Sequence, residues 1–147
     1  MRHYSSRNWF FFKIFQVFTL SFFPFFASAQ DAQLVVELNK FEESDASGCR
    51  AFFLFRNQTG KAFEGFEMSL AILDSDGVID RLLNIDAAPL PVARTTLKLF
   101  EIPDIGCDNI SEILLHAIET CKPQNEENMD CFPLVSLVSR TSAPLVK

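Results

Sequence analysis

The most specific chemistry in this sequence belongs to its four cysteines, because sulfur can form disulfides, bind metals or exchange electrons. They are Cys49, Cys107, Cys121 and Cys131, separated by 58, 14 and 10 positions. This spacing contains no C-x-x-C pair, the arrangement common in zinc sites and redox-active disulfides. In an oxidising compartment, four widely spaced cysteines predict two structural disulfides rather than a metal centre.

Acid–base catalysis has one candidate, His116, because histidine is the residue type suited to proton transfer near neutral pH. Ser111 or Ser136 could join it with Asp108 in a Ser-His-Asp arrangement. The G-x-S-x-G motif of a nucleophile elbow is absent, however, and His116 stands within the apolar run LLHAI. We therefore interpret His116 as an ordinary strand residue and predict a protein without enzymatic activity.

A faint calcium-loop pattern occurs at Asp74, Asp76, Gly77 and Asp80, since alternate carboxylates with a glycine can surround a hard cation. The pattern lacks the third early ligand and the closing glutamate of an EF-hand. Asp-Gly is also typical of β-hairpin turns, where it supplies positive backbone angles. The sequence favours a hairpin turn, with cation binding as the alternative, and predicts no cofactor or metal.

The elements that must position these residues are short apolar segments. The clearest has Phe66, Met68, Leu70 and Ile72 at alternate positions, a period typical of a strand. Further strands are predicted at 34–39, 49–57, 78–85, 95–102 and 134–139. The segment 110–121 is ambiguous, because its apolar residues also fit helical spacing and Asp108 or Asn109 could cap a helix. We predict a strand there because its neighbours are strands.

Seven short strands in one chain predict an all-β, immunoglobulin-like two-layer β-sandwich. If the strands alternate in direction, Cys49 at the start of the second meets Cys107 before the sixth. Cys121 closes the sixth strand and Cys131 opens the seventh, so these two also meet. Of the three possible pairings, strand order therefore selects Cys49–Cys107 and Cys121–Cys131.

The first 29 residues have the three parts of a secretory signal peptide. Arg2, Arg7 and Lys13 supply the positive start, residues 14–26 are almost wholly apolar, and Ala-Ser-Ala at 27–29 provides a cleavage site. The 13-residue apolar run is shorter than the roughly 20 residues of a membrane-spanning helix. We predict cleavage between Ala29 and Gln30, which leaves a single domain over residues 30–147.

The charge of the remaining domain restricts its partners. Residues 30–147 contain 10 Lys and Arg against 19 Asp and Glu, a net charge of −9. Such a domain repels phosphate backbones and anionic lipid, so we expect neither nucleic acid nor a membrane as its partner.

A family resemblance adds to this picture. The run RTTLKLFEIP at 94–103, Cys107, ISEILL at 110–115, Cys121, Cys131 and SRT at 139–141 resemble a family of small exported alphaproteobacterial proteins of uncharacterised function. These are usually labelled Tat pathway signal sequence domain proteins, although Arg2 and Arg7 are not adjacent as a twin-arginine signal requires. The resemblance implies a bacterial periplasm.

Together these features predict a periplasmic, non-enzymatic sandwich with a structural, accessory or protein-binding role. Its partner would be another periplasmic or envelope protein. The alternative is a small proteinaceous inhibitor of a secreted hydrolase, for which the negative charge would provide attraction.

Overall fold

The computed structural model of the protein describes residues 33–45 and 47–147, so the predicted signal peptide and its cleavage site lie outside the described residues. Short 3₁₀ turns at Cys107–Asn109 and Phe132–Leu134 precede the last long strands. Among the described residues, no helix is long and apolar enough to cross a membrane. The strands are β1 (Leu34–Glu43), β2 (Cys49–Asn57), β3 (Phe63–Leu73), β4 (Ile79–Asp86), β5 (Thr95–Ile102), β6 (Glu112–Pro123), β7 (Val135–Ser139) and β8 (Leu145–Val146).

The strands form two four-stranded sheets packed together, which confirms the predicted two-layer sandwich. Sheet A has the order β5-β2-β1-β7, and sheet B has the order β4-β3-β6-β8. Neighbouring strands are antiparallel except at the C-terminus, where β7 runs parallel to β1 and β8 runs parallel to β6. The C-terminal segment thus adds a strand to each sheet on one side, while β5 and β4 are the edges on the other.

The core between the sheets follows from period-two patterning. Along β2 the odd-numbered residues are buried and the even-numbered ones are partly exposed, because successive side chains of a strand point to opposite faces. Phe55 of sheet A meets Phe66 of sheet B edge to face, with 6.3 Å between ring centroids. Burying a side chain of this size stabilises the fold by about 1.5–3 kcal/mol, so such contacts hold the two layers together.

The ambiguous segment at 110–121 is a strand, as predicted, and its helix-like spacing has a structural cause. Ile113 and Leu115 pair with inward-facing residues of β3, as do Ile118 and Cys121. Register shifts fall between Leu115 and Ala117 and between Ile118 and Thr120, and each adds one residue to β6. Two β-bulges therefore stretch the inward spacing from two positions to three, which imitates a helix.

Both predicted disulfides are present. Cys49 of β2 is bonded to Cys107, and their Cα atoms are 4.9 Å apart. Cys121 of β6 is bonded to Cys131, with 6.0 Å between Cα atoms. The bridges lie near opposite ends of β6, so they brace opposite ends of the sandwich. Two structural disulfides are typical of a protein that folds in an oxidising compartment.

Several strand boundaries differ from the sequence prediction, most clearly the C-terminal end of β1. The strand β1 continues through Glu43 because a register shift between Leu38 and Lys40 restores its pairing with β2. The following turn is closed by a hydrogen bond from the Ser44 amide to the Gly48 carbonyl, at 2.9 Å. The two-residue strand β8 was not predicted, because so short a segment carries no measurable period.

Candidate protein-interaction surface

The residues of the hypothetical Ser-His-Asp arrangement are dispersed. His116 is exposed on β6 of sheet B, at the first β-bulge of that strand. Ser136 lies on β7 of sheet A, where its hydroxyl donates to the Gln33 side chain at 3.4 Å. Asp108 is exposed in the 3₁₀ turn before β6, and the amide of Ser111 donates to the Leu73 carbonyl. The structure does not assemble these side chains into one site.

The Asp74 loop forms the turn of the β3–β4 hairpin. Oδ1 of Asp74 accepts the backbone N–H groups of Asp76 and Val78, both at 2.9 Å, and Gly77 adopts a positive φ of 75°. Asp80 instead pairs with Arg81. The carboxylates of Asp74 and Asp80 are thus engaged in turn and ion-pair contacts. No group of three potential metal ligands occurs among the described residues.

An unexpected buried carboxylate lies on the outer side of sheet A. Glu37 is only 2% exposed although its neighbours in register, Leu54 and Val138, face outward from the sheet. Its Oε2 accepts a hydrogen bond from Arg56 at 2.9 Å and lies 3.7 Å from Nε of Arg140. The hydrogen bond from Arg56, followed by one from Asn39, holds the pKa of Glu37 below its ordinary value.

The rest of this outer side, which we name the compensated face, combines aliphatic contacts with ion pairs. Leu97 and Leu99 of β5 are 53% and 49% exposed and pair with Leu54 and Phe52 of β2. The ammonium of Lys40 lies 4.3 Å from the centre of the Phe52 ring. Beyond them, further ion pairs join Arg50 to Glu101 and Glu42, and Lys40 to Glu42.

The outer side of sheet B, which we name the acidic face, carries an aliphatic stripe across all four strands. The register aligns Leu82 of β4, Ala71 of β3, Leu114 of β6 and Val146 of β8. Leu82 is 59% exposed, and Ile79 at the end of β4 is 58% exposed. Leu114 and Val146 are partly exposed and Ala71 is buried, so Leu82 contributes most of the exposed aliphatic surface of this row.

The same outer side of sheet B also carries carboxylates that have no cation. Glu67, Asp86, Glu112 and Glu119 form no ion pair with any described residue. Three of the four, Glu67, Asp86 and Glu119, line one shallow depression of about 170 Å³. The cations on the neighbouring strands are already engaged, Arg81 with Asp80 and Lys122 with Glu64. The hydrogen bond from Lys122 to Glu64 raises the pKa of the lysine.

The sheet edges at β5 and β4 are protected against strand addition. On β5, Lys98 pairs with the inward-facing Phe53, and its ammonium donates to the Ala88 carbonyl at 2.9 Å. On β4, Arg81 pairs with the inward-facing Ile72. Inward-pointing charges on an edge strand are a known device against edge-to-edge pairing. The outer faces are therefore better candidates for binding than the edges.

Sequence analysis missed both faces. Leu97 and Leu99 alternate with Lys98 and Phe100, and this strand alone does not reveal which set lies outside. The row from Leu82 to Val146 depends on strand register, which sequence spacing does not fix. The detectable signal is the excess of carboxylates, but the sequence does not show which of them lack a cation in the fold.

Comparison with known proteins gives a likeness of fold. No protein-family model matches the chain, and no curated protein matches it either. A solved structure of IrmA from Escherichia coli superimposes with a TM-score of 0.56 at 12% sequence identity. The alignment covers 72% of this chain and 91% of the IrmA chain. The chain is thus a disulfide-bonded β-sandwich whose fold is similar to that of IrmA.

Proposed function

We propose that this protein is an exported, periplasmic, non-enzymatic domain that binds another protein in a structural or accessory role. The observation that carries the proposal is the exposure of leucine side chains, Leu82 on one outer face and Leu97 and Leu99 on the other, on a sandwich braced by two disulfides. A rigid sheet can present such side chains without ordering any chain on binding, which lowers the cost of association. The dispersal of His116, Ser136 and Asp108 over different elements supports a role in binding rather than catalysis.

The proposed compartment rests on the disulfides and on residues 1–29, whose sequence has the parts of a cleavable signal. Intact-mass measurement of the protein from a periplasmic fraction tests this. We expect a chain that begins at Gln30 and lacks free thiols. A chain that retains residues 1–29, or that carries four free thiols, contradicts the proposed export.

The binding role is tested with purified, oxidised protein immobilised for capture from periplasmic extract, followed by reconstitution with the purified partner. We expect saturable 1:1 binding to an envelope or periplasmic protein. The same sample is assayed for hydrolytic activity beside a His116→Ala variant. Turnover that disappears in this variant would replace the binding proposal with an enzymatic one.

The alternative function, inhibition of a secreted hydrolase, is favoured by the acidic face, because unpaired carboxylates attract a basic enzyme surface. The reconstituted complex separates the two functions. An accessory domain leaves the activity of its partner unchanged, whereas an inhibitor abolishes hydrolysis at equimolar concentration.

A further inference from the structure

Resting on the proposed function as a binding domain, we propose that the acidic face is the docking surface and that its partner is a basic protein surface with aliphatic side chains. One of the two outer faces would thus bind the partner, and the surface of that partner would be basic and aliphatic. The choice of face depends on the charges of each face, because both faces expose leucine side chains.

On the compensated face, the carboxylates of Glu37, Glu42 and Glu101 each have a cation of the same chain. The ammonium of Lys40 also covers the Phe52 ring. A partner would have to displace or desolvate these pairs, and desolvation of an ion pair offsets much of its attraction to new groups. This face gains little from a charged partner.

On the acidic face, Glu67 and Asp86 pair with each other four residues along their strands from Ala71 and Leu82, and Glu119 lines the same depression. None of the three forms an ion pair with a described residue. Even the terminal Lys147, next to Val146, donates to the carbonyls of Phe132 and Val135 near β7. Lysine or arginine from a partner would supply the missing charge, and the aliphatic row would supply the buried area.

Charge also opposes a second copy of this chain or an anionic lipid surface as the occupant of the acidic face. A second copy of this chain docked face to face would place two sets of unpaired carboxylates together, and like charges across an interface are strongly unfavourable. An anionic lipid surface meets the same repulsion. Strand addition at β4 is opposed by the inward-pointing Arg81. A basic protein surface with aliphatic side chains would complement both the exposed leucine and the carboxylates of this face.

Site-specific photocross-linking in the cells that export the full chain tests the choice of face. The photoreactive residue p-benzoylphenylalanine replaces Leu82 on the acidic face or, as a matched control, Leu97 on the compensated face. We expect a covalent adduct with one other protein from position 82 and little or none from position 97. Intact disulfides in both variants establish that each has folded.

Other outcomes of this experiment have distinct meanings. An adduct from position 97 alone shows that the acidic face is not the docking surface, although the protein still binds a partner. Capture of a partner without an adduct from either position has the same meaning. An adduct between two copies of this chain overturns the basic partner. Absence of both adducts and captured partner contradicts the proposed function itself.

The partner's chemistry is tested by its association rate with two triple variants of equal net charge. The variant E67Q/D86N/E119Q neutralises three carboxylates of the acidic face, while D104N/D108N/E127Q neutralises exposed carboxylates elsewhere. We expect the first to slow association about tenfold and to flatten its salt dependence, and the second to change little. Equal effects of the two variants, or none from the first, would overturn the charge complementarity.

Discussion

Both outer faces of this sandwich expose leucine side chains, but they differ in whether their carboxylates are paired with cations. On sheet A, each of Glu37, Glu42 and Glu101 is paired within the chain, and Glu37 is buried by its partners. On sheet B, Glu67, Asp86 and Glu119 are exposed and lack cations among the described residues. Carboxylates paired within the chain contribute to folding, whereas carboxylates without a cation remain available to a basic partner. The first face therefore stabilises the fold, and we propose the second as the docking surface.

The largest expected effect comes from removing the framework that both faces share. Loss of the Cys49–Cys107 bridge, in a Cys49→Ala/Cys107→Ala variant, should reduce the free energy of unfolding by about 4 kcal/mol, and loss of Cys121–Cys131 by about 3 kcal/mol. A domain of this size has about 5–15 kcal/mol in total, so the fully reduced protein should be nearly unfolded. Denaturant unfolding measures both values, and an unchanged melting temperature after reduction would refute the expectation.

Matched substitutions on the two faces should differ in their effect on the free energy of unfolding. Glu37→Gln should reduce the free energy of unfolding by about 2 kcal/mol, because it weakens charged hydrogen bonds to a buried group. The matched change on the acidic face, Glu67→Gln, should remain within about 0.5 kcal/mol of the wild type. Urea unfolding of both variants is the measurement. Equal losses would mean that the two faces contribute alike to stability.

The dependence of stability on pH is a second test of the contribution of Glu37. The pKa of Glu37 lies below its ordinary value of 4.5, so its contribution to stability is present above about pH 4.5 and lost as the pH falls through the folded-state pKa. The wild type and Glu67→Gln should lose stability over this range more steeply than Glu37→Gln. Parallel curves for all three proteins would show that Glu37 is not the group responsible.

The smallest effect concerns the aliphatic rows. Leu82→Ser and Leu97→Ser should each change the free energy of unfolding by no more than about 0.5 kcal/mol, because both side chains are about half exposed. Only Leu82→Ser should weaken binding to a partner of the acidic face. Titration calorimetry with the reconstituted partner compares the two variants, and a loss confined to Leu97→Ser would reverse the roles of the faces.

The fold could be predicted because period-two patterning and the order of the cysteines among the strands can both be read directly from the sequence. The run Phe66 to Ile72 marks its strand by itself, and the position of Cys107 before β6 selects its partner. The segment 110–121 was ambiguous because two β-bulges distort its period. The burial of Glu37 was not foreseeable, since it requires Arg56 and Arg140 to converge from separate elements. The acidic face likewise depends on the register that aligns Leu82 with Leu114 and Val146.

Methyl NMR of the leucine-labelled protein, titrated with its purified partner, tests the central claim in one spectrum. Leu82 and Leu114 report on the acidic face, and Leu54, Leu97 and Leu99 report on the compensated face. We expect the signals of the first pair to shift or broaden on binding and those of the other three to stay in place. Changes confined to the leucines of the compensated face would contradict it.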